Sequence, residues 1–191
     1  FWTARKFDKK ATEAVEAAYG VSKAGRFNKI LIEQENLKNL QKISGQARAF
    51  HYTNTLPWLY EGVSILPSAN FLTYSAKIRE FKEQYEQEAN KFAEIYPQLI
   101  EEAKNKLGSL FNPKDYPDSF FIRRKFTLDI GFSPLPKSDD FRVSLAEEEV
   151  ADIKQKIESS TMQALHLATK SLWERLYENV SHMAEKLRDE S

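Results

Sequence analysis

From Phe71 to Leu107 the apolar residues fall at Phe71, Tyr74, Ile78, Phe81, Tyr85, Ala89, Phe92, Tyr96, Leu99, Ala103 and Leu107, and every step between them is three or four. That spacing lays one continuous stripe along a helix, with Lys77, Arg79, Lys82, Glu83, Glu86, Glu94, Glu101 and Lys104 between the apolar positions. Ser68, after Pro67, predicts the N-cap, and Gly108 predicts the stop. A helix over about 68–108 is roughly 60 Å long at 1.5 Å per residue, and it cannot bury such a stripe alone. The chain offers a second long helix over about 146–187. Ser144 and Glu147 form a capping box there, and Val150, Ile153, Ile157, Thr161, Ala164, Ala168, Leu172, Leu176, Val180, Met183 and Leu187 follow at helical spacing. Its stripe is richer in small residues, which suits an antiparallel partner of the first. Pro97 removes the bond to the Ala93 carbonyl and predicts a kink.

Shorter elements surround this pair. Asp8 caps a helix carrying Ala11, Ala14, Val15, Ala18 and Tyr19, and Gly20 ends it. A second short helix spans about 33–55, with Leu37, Leu40, Ile43, Ala47 and Phe50 on one side. It ends at Thr55-Leu56-Pro57-Trp58, because the residue before proline avoids helical backbone. Residues 59–67 read as a loop. Strands are expected over residues 1–6, 27–32, 126–132 and 141–145; in the third, Phe126, Leu128, Ile130 and Phe132 alternate with Thr127, Asp129 and Gly131. The expected fold is α+β and predominantly helical. Two long antiparallel helices join a small antiparallel sheet and shorter helices, in a single domain over 1–191 with an extended helical hairpin.

Composition narrows the function. Apolar residues make up 41% of the chain and aromatics 13%, too many for a disordered segment. Lys and Arg number 28, as do Asp and Glu, so overall charge argues for neither nucleic acid nor membrane. The charge is uneven: residues 1–52 hold ten basic and five acidic residues, and residues 146–191 hold six and ten. With no cysteine, disulfides and thiol chemistry are excluded, and a reducing cytoplasm is the expected setting. No apolar run reaches the length of a membrane span. Since the first residue is Phe1, native residues are expected to precede it.

No catalytic constellation can be assembled. His166 and His182 are sixteen residues apart, about 160° around one helix, and no zinc-ligand spacing exists. Asp139 and Asp140 suit a turn between strands better than half of a magnesium site. Six glycines leave no room for a hidden phosphate loop, dinucleotide fingerprint or nucleophile elbow. We expect no enzyme, no metal and no cofactor.

Binding is easier to place. Arg123, Arg124 and Lys125 precede Phe126, and Arg142 lies on the next expected strand; if those strands pair, the four cations line one edge near Lys9 and Lys10. Cations interleaved with aromatics suit phosphate contact and base stacking. They also suit a solvated sheet edge that resists further pairing. His51 and Trp58 belong to a polar-aromatic face, either a recognition patch or a buried corner with its polar tips satisfied. Trp173 and Tyr177 widen the apolar face of the last helix, as core or as a subunit interface.

The segments WTARKFDKKATE, GRFNKIL, ARAFHYTNTLPW, ILPSANFLTY, LFNPKDYPD, FSPLPKSDDFRV and LWERLYENVSHMAEKL occur in that order. Nearly the whole chain thereby resembles an uncharacterised family of proteins of phages, prophages and integrative elements. The resemblance transfers no catalytic pattern. It implies a mobile-element setting in a bacterial host, with genes for a MoxR- or cobaltochelatase-like AAA+ ATPase nearby. The first expectation is a non-enzymatic assembly or adaptor protein that self-associates and docks to a protein such as that ATPase. The alternatives are a nucleic-acid-binding accessory protein of recombination or replication, and an inhibitor docking onto a host defence protein.

Overall fold

In a computed structural model of the protein, residues 4–135 and 147–189 are described. The fold is predominantly helical α+β, and among the described residues it has two long helices and two small antiparallel sheets. Two compact units divide the chain: Phe1–Arg48 with Lys77–Ile130, and Ala49–Ala76 with Gly131–Ser191.

In the first unit, β1 (Arg5–Phe7) pairs antiparallel with β2 (Asn28–Ile30), so that Lys6 lies opposite Lys29. Between them runs α1 (Lys9–Tyr19), with the Asp8 carboxylate accepting from the Ala11 N–H at 3.0 Å. Gly20 closes it at φ 64°, a left-handed backbone that costs glycine least. A 3-10 turn then leads into α2 (Lys38–Asn54).

The core of this unit forms on α3 (Phe71–Leu107), which begins after a 3-10 turn at Ser68–Asn70 and ends at Gly108. Its stripe from Tyr85 to Ala103 is covered by Leu31, Ile32, Leu37, Leu40, Tyr116 and Ile122. Ala89 and Tyr96 lose all exposure. Pro97 sits within the continuous helix. The Tyr116 hydroxyl donates to the Leu31 carbonyl at 3.2 Å, giving a buried phenol its partner.

The strand expected over residues 126–132 is absent. A five-residue helix, α4 (Ser119–Arg123), occupies its approach, a turn follows at Arg124 and Lys125, and no ladder forms beyond. Phe126 and Leu128 instead pack on the α3 core, and Phe126 meets the Phe92 ring edge-on at 5.2 Å. Lys82 of α3 bonds Asp129 at 2.6 Å. Alternate residues turned to a helix reproduce the period of a strand without a strand partner. The strand expected over 141–145, with Arg142, Asp139, Asp140 and Ser144, lies outside the described residues.

The second unit holds a hairpin where a loop was expected. β3 (Leu56–Pro57) pairs antiparallel with β4 (Ser64–Ile65), and Gly62 turns between them at φ 80°. Pro57 takes a two-residue ribbon, where its missing N–H is tolerated. Against β3 packs α5 (Glu147–Asp189), whose buried positions, among those described, are Ala164 and Ala168. Small side chains there permit close backbone approach. Arg175 donates to the carbonyl oxygens of Tyr52 and Thr53 at 3.2 and 3.4 Å, placing a cation on the last turn of α2.

Candidate interaction surfaces

The surfaces follow from what each element leaves uncovered. On α5 the buried line through Ala164 and Ala168 does not continue into the large apolar residues beyond. Leu172, Leu176, Val180, Met183 and Leu187 are all more than half exposed, as are Trp173 at 67% and Tyr177 at 75%. At 100° per residue the first five span an arc of about 80°, centred roughly 100° from the Ala164–Ala168 line. The helix therefore carries two faces, one buried and one open. Trp173 and Tyr177 widen the open face.

Around His51 the second unit closes an aromatic corner. Its Nδ1 lies 2.6 Å from the Tyr74 hydroxyl and its Nε2 lies 3.2 Å from Ser64 Oγ. Phe50 stacks on Tyr74 at 5.6 Å, and Phe132 meets Tyr74 edge-on. Burial pushes His51 below its usual range and Tyr74 above it, so imidazole and phenol are both neutral at pH 7. Trp58 is half-buried just after β3. Both ring nitrogens of His51 are engaged within the fold, which links α2, β4 and α3.

The basic cluster is taken apart. Arg123, at the last turn of α4, donates from Nε to Asn90 at 2.6 Å and from a terminal nitrogen to the Phe126 carbonyl at 3.1 Å. That role positions the segment. Arg124 and Lys125 are exposed on the following turn, the Arg124 guanidinium 5.6 Å from the centre of the Phe120 ring. Lys9 and Lys10 are exposed on α1, with Lys9 paired to Glu13 at 3.5 Å. The expected edge of cations on paired strands does not exist, because residues 126–132 form no strand.

A second charged group was not anticipated. Lys29, 5% exposed, lies 2.6 Å from Asp115 and 3.3 Å from Asp8, and donates to the Leu110 carbonyl at 3.1 Å. Lys6 reaches the other Asp115 oxygen at 2.6 Å. Burial alone would lower Lys29 and raise Asp115, but the mutual contacts outweigh it: Lys29 is held above its usual range and Asp115 below. No spacing in the sequence joins Lys6, Lys29 and Asp115; the nearest signal was the single acid in an aromatic-flanked turn, Asn112-Pro113-Lys114-Asp115-Tyr116.

Among the described residues no three His, Asp or Glu side chains gather to hold a metal ion. Nor is any described helix long and apolar enough to cross a membrane. Comparison with known protein families, with characterised proteins and with solved structures returns no match.

Proposed function

We propose that this chain is a non-enzymatic assembly protein whose open α5 face pairs with the same face of a second copy. The observation that supports this is the exposure of seven large apolar side chains between Leu172 and Leu187. Seven exposed large apolar side chains within sixteen residues of one helix are what an interaction surface looks like, where scattered single ones are ordinary. Steps of four, four, three and four between Leu172 and Leu187 suit helix-on-helix packing. Between Leu172 and Arg188 the three acidic residues, Glu174, Glu178 and Glu185, balance the three basic ones, Arg175, Lys186 and Arg188. Two such faces therefore meet without net repulsion, and isologous pairing is the commonest oligomer geometry.

The mobile-element setting and a further AAA+ ATPase partner rest on the sequence resemblance alone. Light scattering behind size exclusion tests the pairing. Wild-type protein is expected at twice the chain mass, and Leu176→Glu with Val180→Glu at the chain mass with its melting transition retained. A wild-type monomer at micromolar to millimolar concentration overturns the reading.

A further inference from the structure

We infer that the first unit carries a binding site for single-stranded nucleic acid built from Phe120, Phe121, Arg124 and Lys125. The site lies in a different unit from the α5 face and is independent of it. Phe120 is 66% exposed and Phe121 56% exposed, side by side on α4. Their rings meet at 74° with centroids 5.7 Å apart, so two differently oriented aromatic surfaces face water. The exposure is not slackness. Asp118 caps α4 by accepting from the Phe121 N–H at 2.9 Å, Ile122 between the exposed rings and Arg123 is wholly buried, and Arg123 is bonded to Asn90. A short helix thus anchored holds both rings in solvent, where they forgo the stabilisation that burial of a phenylalanine brings.

The cations complete the site. Arg124 lies over Phe120, a platform that stacks on a base with one face and meets phosphate with its N–H groups. Lys125 is the next residue. Among the described residues neither Arg124 nor Lys125 forms an ion pair, whereas Lys82, Lys91, Lys104 and Lys106 on α3 all do. The unit supports an anion as a whole. Over Phe1–Arg48 and Lys77–Ile130 there are twenty basic and fifteen acidic residues, a surplus of five in a chain that is neutral overall.

Exposed rings beside unpaired cations match unpaired bases on a phosphate backbone, because stacking needs a base free of its duplex partner. A five-residue helix is too short to fill a major groove, so duplex DNA fits less well. DNA and RNA single strands share this chemistry.

Anisotropy of labelled oligo-dT and oligo-U, titrated with full-length protein from 20 to 300 mM salt, tests the site. Binding is expected, its log affinity falling with log salt by about 0.7 per neutralised phosphate. Phe120→Ala and Phe121→Ala should each weaken it roughly five- to a hundredfold. Arg124→Glu with Lys125→Glu should abolish it at 150 mM salt and flatten the slope. Phe120→Leu keeps the apolar packing but removes the aromatic face, so it must also weaken binding if stacking is the cause. No binding at 20 mM salt overturns the inference. So does binding that all these variants leave unchanged, or binding to anionic vesicles or duplex DNA without binding to either single strand.

Discussion

Lys6 and Lys29 lie directly opposite each other across the β1–β2 ribbon, and one carboxylate, Asp115, holds both at 2.6 Å. Like charges facing across a ribbon destabilise it. Here the conflict becomes a lock, since the ribbon closes in this register only when residue 115 is brought to it from another part of the chain. The arrangement predicts that Asp115→Asn costs about 3 kcal/mol, because Lys6 then loses its anion and the buried Lys29 keeps only Asp8, at 3.3 Å. The double change Lys29→Met with Asp115→Leu should cost less than Asp115→Asn alone. Urea unfolding of the variants checks both; a single variant within 1 kcal/mol of wild type refutes the lock.

The same cluster sets a pH window. Asp115 is held below its usual 3.8, so its contribution is present above pH 3.8 and is lost as the pH falls through the lowered value. Lys29 is held above its usual 10.5, so its contribution is present below pH 10.5 and is lost as the pH rises through the raised value. The stability gap between wild type and Asp115→Asn should be flat from about pH 5 to 9 and shrink in strong acid. Unfolding at a series of pH values measures it.

His51 also makes stability fall on acidification, but in a higher pH range. Burial lowers it from the usual 6.5, so the neutral ring's contribution is complete above pH 6.5. As the pH falls below that value the unfolded chain binds a proton that the folded one refuses, and stability declines until the folded ring also titrates. A proton-NMR titration should place the His51 midpoint below 6.5. Tyr74→Phe, which strips the partner from Nδ1, should cost about 1 kcal/mol.

The two faces of α5 should respond differently. Ala164→Leu forces bulk into a buried position of α5 and should cost about 1–3 kcal/mol. Leu172→Ala, on the open face, should leave the monomer's stability within about 0.5 kcal/mol of wild type. Thermal melts at concentrations below any dimer dissociation separate these outcomes.

Much of the fold was legible in the residues. Helical periodicity is local backbone geometry, so the stripe of α3, the Asp8 cap, the Gly20 and Gly108 stops and the extent of α5 could be read from spacing alone. Strands at residues 5–7 and 28–30 were legible, as expectations over 1–6 and 27–32, but that these two pair with each other was not. Residues 126–132 misled because alternation reports only that every second side chain meets something apolar; here that something is α3. The β3–β4 hairpin was missed because its strands have two residues each and one contains proline.

The candidate sites divide in the same way. Trp173 and Tyr177 were visible as apolar excess on a helix, and Arg124 and Lys125 as a basic run. Which apolar residues of α5 are covered was not visible. Nor was it visible that Arg123 is spent on Asn90 while Phe120 and Phe121 stay in water. Spacing determines which side chains share a face. What covers a face, and which charges meet, depends on segments far apart in the chain: Lys6 and Asp115 stand 109 residues apart, and only tertiary packing joins them.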